Sequence, residues 1–263
     1  MKFIIGLFFI LMCWTANSQS QAIAVSKVGE LTFDMDEFVG FDGLGNYFYI
    51  KNNVLFKKTA TDLFQYQNLL LGKIDKVDIL NPLKVIVFYK AFNSVIVLDN
   101  LMNEIQRIDF SSPEKEIIAT AVGISGQNKL WVFNALNQQI GLYDLNSNTF
   151  QNLGVPIKNE FEEYQTDFNY FHWINEKNEW NTCTIFGRVT INGMMEKNDG
   201  IHFVDLTQVL FSDDGQLYCK VIAENQVYKI DVFEKSFKKF YYKDQILSIF
   251  TDRGITNYKT TLP

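Results

Sequence analysis

The strongest constraint on this chain is a unit that recurs: an apolar strand-like run, a short polar turn, a second run, a second turn and a third run. Its first instance is FDGLGNYFYIKNNVLFKK, residues 41–58. VDILNPLKVIVFYKAFNSVIVLDN (77–100), AVGISGQNKLWVFNALNQQIGLYDLNSN (121–148) and VLFSDDGQLYCKVIAENQVYKIDVF (209–233) repeat the plan. The alternating runs LFQYQ, IQRIDF and FKKFYY follow three of the units and read as fourth strands. Period-2 alternation buries one side of a strand, and turns this short reverse the chain, so the sheet is antiparallel. The residues that end the first turn of each unit are Asn46, Lys84, Asn128, Asn178, Gln216 and Gly254. Subtracting consecutive positions gives steps of 38, 44, 50, 38 and 38 residues. Four-stranded propeller blades recur at about 40–45 residues. The spacing predicts an all-β fold: a six-bladed β-propeller of four-stranded antiparallel blades.

Two irregularities need an account. The run at residues 246–259 leaves room for only two strands in the last unit, while QAIAVSKVGELTFD (21–34) supplies two short strands before the first. An open ring would expose two sheet edges, so N- and C-terminal strands are expected to close the last blade together. The step of 50 predicts an irregular insertion around residues 155–205, inside a single propeller domain spanning 19–263. NEFEEYQTDF (159–168), with acids following an Asn, reads as a helix-like patch within it. A pair of β-sandwiches or an irregular sheet is the alternative fold. No amphipathic helix alternates with the strands, which disfavours a parallel α/β sheet.

The first eighteen residues, MKFIIGLFFILMCWTANS, follow the order of a signal peptide: one Lys, an apolar run, then small polar residues. Cleavage after Ser18, with Ala16 also small, would leave Gln19 first. The apolar run is shorter than the roughly 20 residues that span a bilayer. Met12 is bulky where lipoprotein processing at Cys13 would want a small residue. The chain has 24 Lys and Arg against 30 Asp and Glu, a net charge of −6, and loss of Lys2 makes it −7. No basic cluster tracks a phosphate backbone, so nucleic acid is not an expected partner, and no later segment is long and apolar enough for a membrane span.

Removal of Cys13 leaves Cys183 and Cys219, both in strand-like runs. They read as buried small hydrophobes or as a single bridge between neighbouring strands. His172 and His202 stand 30 residues apart with no Cys or carboxylate at metal-ligand spacing, so neither a metal nor another cofactor is expected. The acidic turns DGLGN, SDDGQ and EKNDG lack the alternating donors of a calcium loop and suit tight turns for backbone reasons. There is no G-x-S-x-G, and neither His pairs visibly with a nucleophile. Catalytic residues are therefore expected to be none. Channel-facing positions taken from the presumed innermost strands are Val39, Phe41, Val77, Ile79, Ala121, Gly123, Val209 and Phe211, an apolar plug. One cluster invites a binding role: Phe168, Tyr170, Phe171, Trp173 and Trp180 crowd the presumed insertion, where exposed aromatics would anchor a partner or stack on a sugar.

The blades resemble NHL- and YVTN-type propellers in general plan. The stretch NPLKVIVFYKAFNSVIVLDN, with FDGLGN before it, is similar to a family of secreted propeller-like proteins of Gram-negative envelopes. The similarity runs through Asp144 and is weakest across 155–205. It implies a periplasmic or outer-membrane-associated location and a non-catalytic task. The expected function is a protein-binding or scaffold module of the cell envelope, accessory to an outer-membrane assembly or secretion machine, with another envelope protein as partner. A propeller-type hydrolase or a carbohydrate-binding protein is the alternative.

Overall fold

The middle strands of this chain are apolar on both sides, and that decides how they pack. KVIVFY and SVIVL bury nearly every residue. A sheet with one side in water alternates; a sheet sandwiched between two others does not. The computed structural model describes residues 22–32, 34–112, 116–157 and 161–263, so the expected leader at 1–18 lies outside the described residues. In chain order, β1 is Ala22–Ile23 and β2 is Ser26–Leu31. Blade 1 is β3 (Glu37–Phe41), β4 (Tyr47–Lys51), β5 (Val54–Lys58) and β6 (Leu63–Tyr66). Blade 2 is β7 (Lys76–Asn81), β8 (Lys84–Tyr89), β9 (Ser94–Leu98) and β10 (Glu104–Asp109). Blade 3 is β11 (Ala119–Ser125), β12 (Lys129–Asn134), β13 (Gln139–Asp144) and β14 (Thr149–Asn152). Blade 4 is β15 (Phe161–Thr166), β16 (Tyr170–Asn175), β17 (Glu179–Thr184) and β18 (Val189–Met194). Blade 5 holds β19 (Gly200–Phe203), β20 (Gln208–Asp213), β21 (Gln216–Val221) and β22 (Gln226–Ile230). Blade 6 holds β23 (Lys239–Lys243), β24 (Ile246–Thr251) and β25 (Gly254–Lys259).

The first strands of the blades touch in a closed circuit, β3–β7–β11–β15–β19–β23–β3, around a central channel. The six-bladed ring is therefore present as expected. Its closure differs in detail: β2 pairs antiparallel with β25, so blade 6 is built from one N-terminal and three C-terminal strands. The other N-terminal strand, β1, runs parallel to β22 and adds a fifth strand to blade 5. At the join, Gly254 has φ +129° and a Cβ there would sit 2.2 Å from the Leu31 carbonyl oxygen, so only glycine lets β25 meet the N-terminal segment.

The insertion around 155–205 is corrected. From blade 4 onward the turn taken as the first of each unit is the second, since Asn178 precedes β17, Gln216 opens β21 and Gly254 opens β25. Counting the first residue of each true second strand gives Tyr47, Lys84, Lys129, Tyr170, Gln208 and Ile246. Their steps, by subtraction, are 37, 45, 41, 38 and 38. Residues 161–194 build an ordinary blade, and the helix-like patch contains strand β15. FKKFYY contributes the innermost strand of blade 6 rather than a fourth strand.

Six apolar clusters lie at the six interfaces between blades. The cluster between blades 2 and 3 joins Phe88, Val95 and Val97 to Val122, Leu130 and Val132. The seam between blades 6 and 1 buries only Phe38, Phe250 and Ile255 fully, and adds polar ties across it. Asn257 donates to the Tyr47 hydroxyl at 2.8 Å, and Lys239 pairs with Glu37 at 3.0 Å. Turn chemistry is local: Asn52 and Asn53 both take positive φ between paired Lys51 and Val54, a two-residue hairpin loop of the primed type.

Candidate functional site

The aromatic cluster divides in two. Phe171, Trp173 and Trp180 are buried in the packing between blades, so their assignment as partner anchors is corrected: a side chain already enclosed has no surface to offer. Trp180 is at 0% exposure. Tyr170 is half-buried, and Phe168 alone is exposed, in the turn between β15 and β16. These aromatics enclose a polar network. The Trp180 indole N–H donates to His172 Nδ1 at 3.4 Å, and His172 Nε2 faces Asp167 Oδ2 at 3.0 Å. Asp167 Oδ1 accepts the backbone N–H groups of Asn169 and Tyr170. Burial opposes ionisation of Asp167, but the His172 bond and those N–H groups together hold its pKa below the usual carboxylate value. His172 thus has both ring nitrogens engaged in structure.

Cys183 and Cys219 are free and buried, in blades 4 and 5, and burial pushes their thiols up to about 11 and about 12. Among the described residues no group of three or more His, Cys, Asp or Glu could hold a metal. The DGLGN turn spends its carboxylate on its own backbone: Asp42 Oδ1 accepts from the N–H groups of Leu44 and Asn46, and Oδ2 from the Asn46 amide. Asp99 and Asn103 repeat the arrangement in blade 2.

The channel is not the apolar plug expected. A cavity of about 300 Å³ opens along the axis; Val39, Val77 and Ile79 do line it, but so do Glu37, Lys76, Glu163, His202, Lys239 and Tyr241. Val209 and Phe211 belong to β20, a second strand, and are buried between blades. The error has the same source as the insertion, because the slip hid the true inner strands β19 and β23. The missed signal was a charge opening the inner strands, as in Glu37, Lys76 and Lys239 at the heads of β3, β7 and β23. The Lys76 ammonium lies 4.7 Å from the centre of the Tyr164 ring. Burial, then the Lys239 charge, pulls its pKa below the ordinary lysine value against the nearby Asp78, Glu163 and Glu37. Burial also pushes the His202 imidazole down to about 4, so it is neutral at pH 7.

A second surface escaped the sequence reading altogether. The upper face, where each inner strand starts, carries the connections between blades and the turns between second and third strands. Phe233, on the connection into blade 6, is 77% exposed there, and six apolar side chains of blades 1 to 4, Leu69, Leu70, Phe92, Ile118, Leu136 and Val155, are between 48 and 82% exposed. Hydrogen bonds tie their backbones into one row across blades 1 to 4. Lys90 donates its N–H to Asp75, joining the first connection to the Phe92 turn. Asn93 bridges to Ile117 and Ala119, and Asn134 to Ile118 and Leu136. Ile157 donates to the Gln138 carbonyl, joining the Leu136 turn to the segment that holds Val155. The lower face exposes Leu44, Leu83, Phe168 and Leu206 in first turns of four blades and Leu101 and Phe186 in the third turns of blades 2 and 4, while the first turns of blades 3 and 6 are polar.

Fold and channel define a six-bladed propeller with a polar axis and a hydrogen-bonded apolar row on its upper face. No family model matches the chain, and no curated protein matches it in sequence. Among solved structures it is similar to virginiamycin B lyase from Staphylococcus aureus, with TM-score 0.60 and 10% identity over 94% of this chain and 97% of that one. It is similar to YCF48, solved bound to D1 peptide, with TM-score 0.53 and 12% identity over 88% and 82%. It is also similar to PorZ, a surface component of the type-IX secretion system of Porphyromonas gingivalis, with TM-score 0.51 and 12% identity over 91% and 34%. At these identities the likeness establishes the propeller fold and nothing about activity. Among the described residues no helix is long and apolar enough to cross a membrane.

Proposed function

We propose that this propeller is a non-catalytic binding module of the cell envelope that docks another protein through the apolar row of its upper face. The single observation behind the reading is that row. Scattered exposed apolar residues are ordinary, whereas a connected series on the turns of one face is what interaction surfaces display. The order of residues 1–18 supports export, and with it a periplasmic or outer-membrane-associated location. An accessory role in an outer-membrane assembly or secretion machine suits such a module. YCF48, solved with a bound peptide, and PorZ, a surface component of a secretion system, share the fold.

The alternative, a propeller-type hydrolase or carbohydrate-binding protein, has one observation in its favour: the polar channel. Capture experiments separate the two. The tagged mature protein is expected to retain a stoichiometric envelope protein, and the double variant Leu70→Ser, Leu136→Ser to lose it while melting at the same temperature. Retention of the same partner by the folded double variant would refute the docking surface.

A further inference from the structure

The ring is closed, yet each blade still ends at an outermost strand whose far edge, among the described residues, pairs with no other strand. Five of the six edges are short or charged. β6 and β14 are four residues long, and β1, which covers β22, is two. β10 carries Glu104, Arg107 and Asp109, and β2 carries Lys27 and Glu30. β18, the outermost strand of blade 4, is six residues long and reads VTINGM, with no charge and no proline. It presents Val189, Ile191 and Met194 at 41, 58 and 55% exposure, and Phe186 in the turn before it is 88% exposed. Charge and shortness are the usual ways in which a sheet edge turns away another strand, and β18 has neither.

The register shows which backbone groups this edge offers. Thr184 donates its N–H to the Arg188 carbonyl, and Arg188 donates its N–H to Thr184 Oγ1, so the Arg188 backbone points into the blade. Alternation along an antiparallel ladder then turns the N–H and C=O of Val189 and Ile191 outward, while Thr190 faces Thr182. Asn192 is the extra residue of a bulge, so the regular edge runs from Arg188 to Ile191. A twofold axis at Thr190 lets the same edge of a second copy complete it. Val189 of each copy then stands opposite Ile191 of the other, their outward N–H and C=O groups pair, and the branched side chains meet on one side of the sheet. Arg188 falls opposite Asn192, so no like charges face each other. Phe186 and Met194 lie, by subtraction, four positions to either side of Thr190, which brings each toward the other's counterpart. The chain carries a net charge of −6, so two copies repel over much of their surface, and an uncharged edge is where that repulsion is weakest. We propose that β18 is a dimerisation edge, through which two copies of this chain pair antiparallel and join their fourth blades into one continuous sheet.

The test is sedimentation velocity of the full mature protein over about 1–100 µM, the range that suits so small a contact, combined with amide hydrogen exchange. A monomer–dimer transition is expected within that range, with exchange at Val189 and Ile191 slowed in the dimer. Ile191→Lys places a charge on the edge while removing little packing. It should melt at the native temperature and weaken the dimer at least about tenfold. Should Ile191→Lys fail to fold, exchange at Val189 and Ile191 in the native protein, compared at the two ends of the range, decides. A monomer throughout, a dimer of undiminished strength in folded Ile191→Lys, or a dimer in which neither amide is protected would overturn the proposal. The Leu70→Ser, Leu136→Ser variant should dimerise as the native protein does. Loss of the dimer there would move the contact to the upper face and refute the role of β18, whatever that variant does to the partner protein.

Discussion

Blade 4 and the apolar row of the upper face are the two regions where large side chains gather, and they gather for opposite reasons. In blade 4 the aromatics are contiguous in sequence and enclosed in space: Phe171, Trp173 and Trp180 alternate along β16 and β17 between neighbouring blades. In the row the residues are spread from Leu69 to Val155 over five turns and connections and brought together only by the ring. Density in sequence marked core, and dispersion marked surface. A turn tip needs a polar residue for its backbone geometry and has no use for a leucine, so an exposed one there asks for an outside contact.

The sharpest break of this comparison is Trp180→Ala. The substitution empties a fully buried site and strips His172 Nδ1 of its donor, so a loss of about 3–5 kcal/mol is expected in chemical denaturation. A protein that loses less than about 1 kcal/mol would mean the blade tolerates a hole where the packing is tightest. Next in size is Asp167→Ala. It releases the His172 ring and leaves the N–H groups of Asn169 and Tyr170 unpaired, at a cost of about 2 kcal/mol. Asp167→Asn should recover part of it by keeping an acceptor.

These expectations also show why the fold was legible and the sites were not. Alternation and turn residues act within a few positions, so strand existence, six-fold repetition and closure through the termini could be read directly. The phase could not. In a meander every strand–turn–strand looks alike, and Asn178 or Gly215 in a second turn is chemically indistinguishable from Asn46 in a first. Which strand is innermost is fixed by the closed circuit of β3, β7, β11, β15, β19 and β23, a relation between distant segments. Once the phase slipped, Lys239 was read in a fourth strand, His202 fell inside the presumed insertion, and the channel looked apolar. Phe168 is the one member of the predicted cluster left exposed, and it lies on the lower face, away from the row.

The two histidines offer a smaller test of the same contrast between enclosed and open sites. His202 faces the channel and has its pKa depressed from 6.5 to about 4 by burial, with Lys76 and Lys239 adding to the effect against a backbone hydrogen bond at Tyr242. Its folded state binds the proton less readily than the unfolded chain. Stability from this group is complete above about pH 6.5 and is lost progressively as pH falls toward 4. In His202→Gln the fall between pH 6.5 and 4 should flatten, while the loss below pH 4 from carboxylates such as Asp167 should persist. An unchanged profile would place the acid sensitivity elsewhere.

The smallest expected effect tests the row itself. Leu70, Leu136 and Val155 each stand mostly in solvent, so replacing all three by Ser removes little packing. Exposed substitutions of this kind stay within about 0.5 kcal/mol each. The triple variant should therefore unfold at nearly the denaturant concentration of the native protein, with the same slope, and should aggregate less because the apolar face is gone. Set beside Trp180→Ala, the pair gives a large stability loss with the face intact and an intact fold with the face removed. If the triple variant is instead destabilised as much as Trp180→Ala, the leucines support the ring from within, and the distinction between a packed blade and an interaction surface collapses.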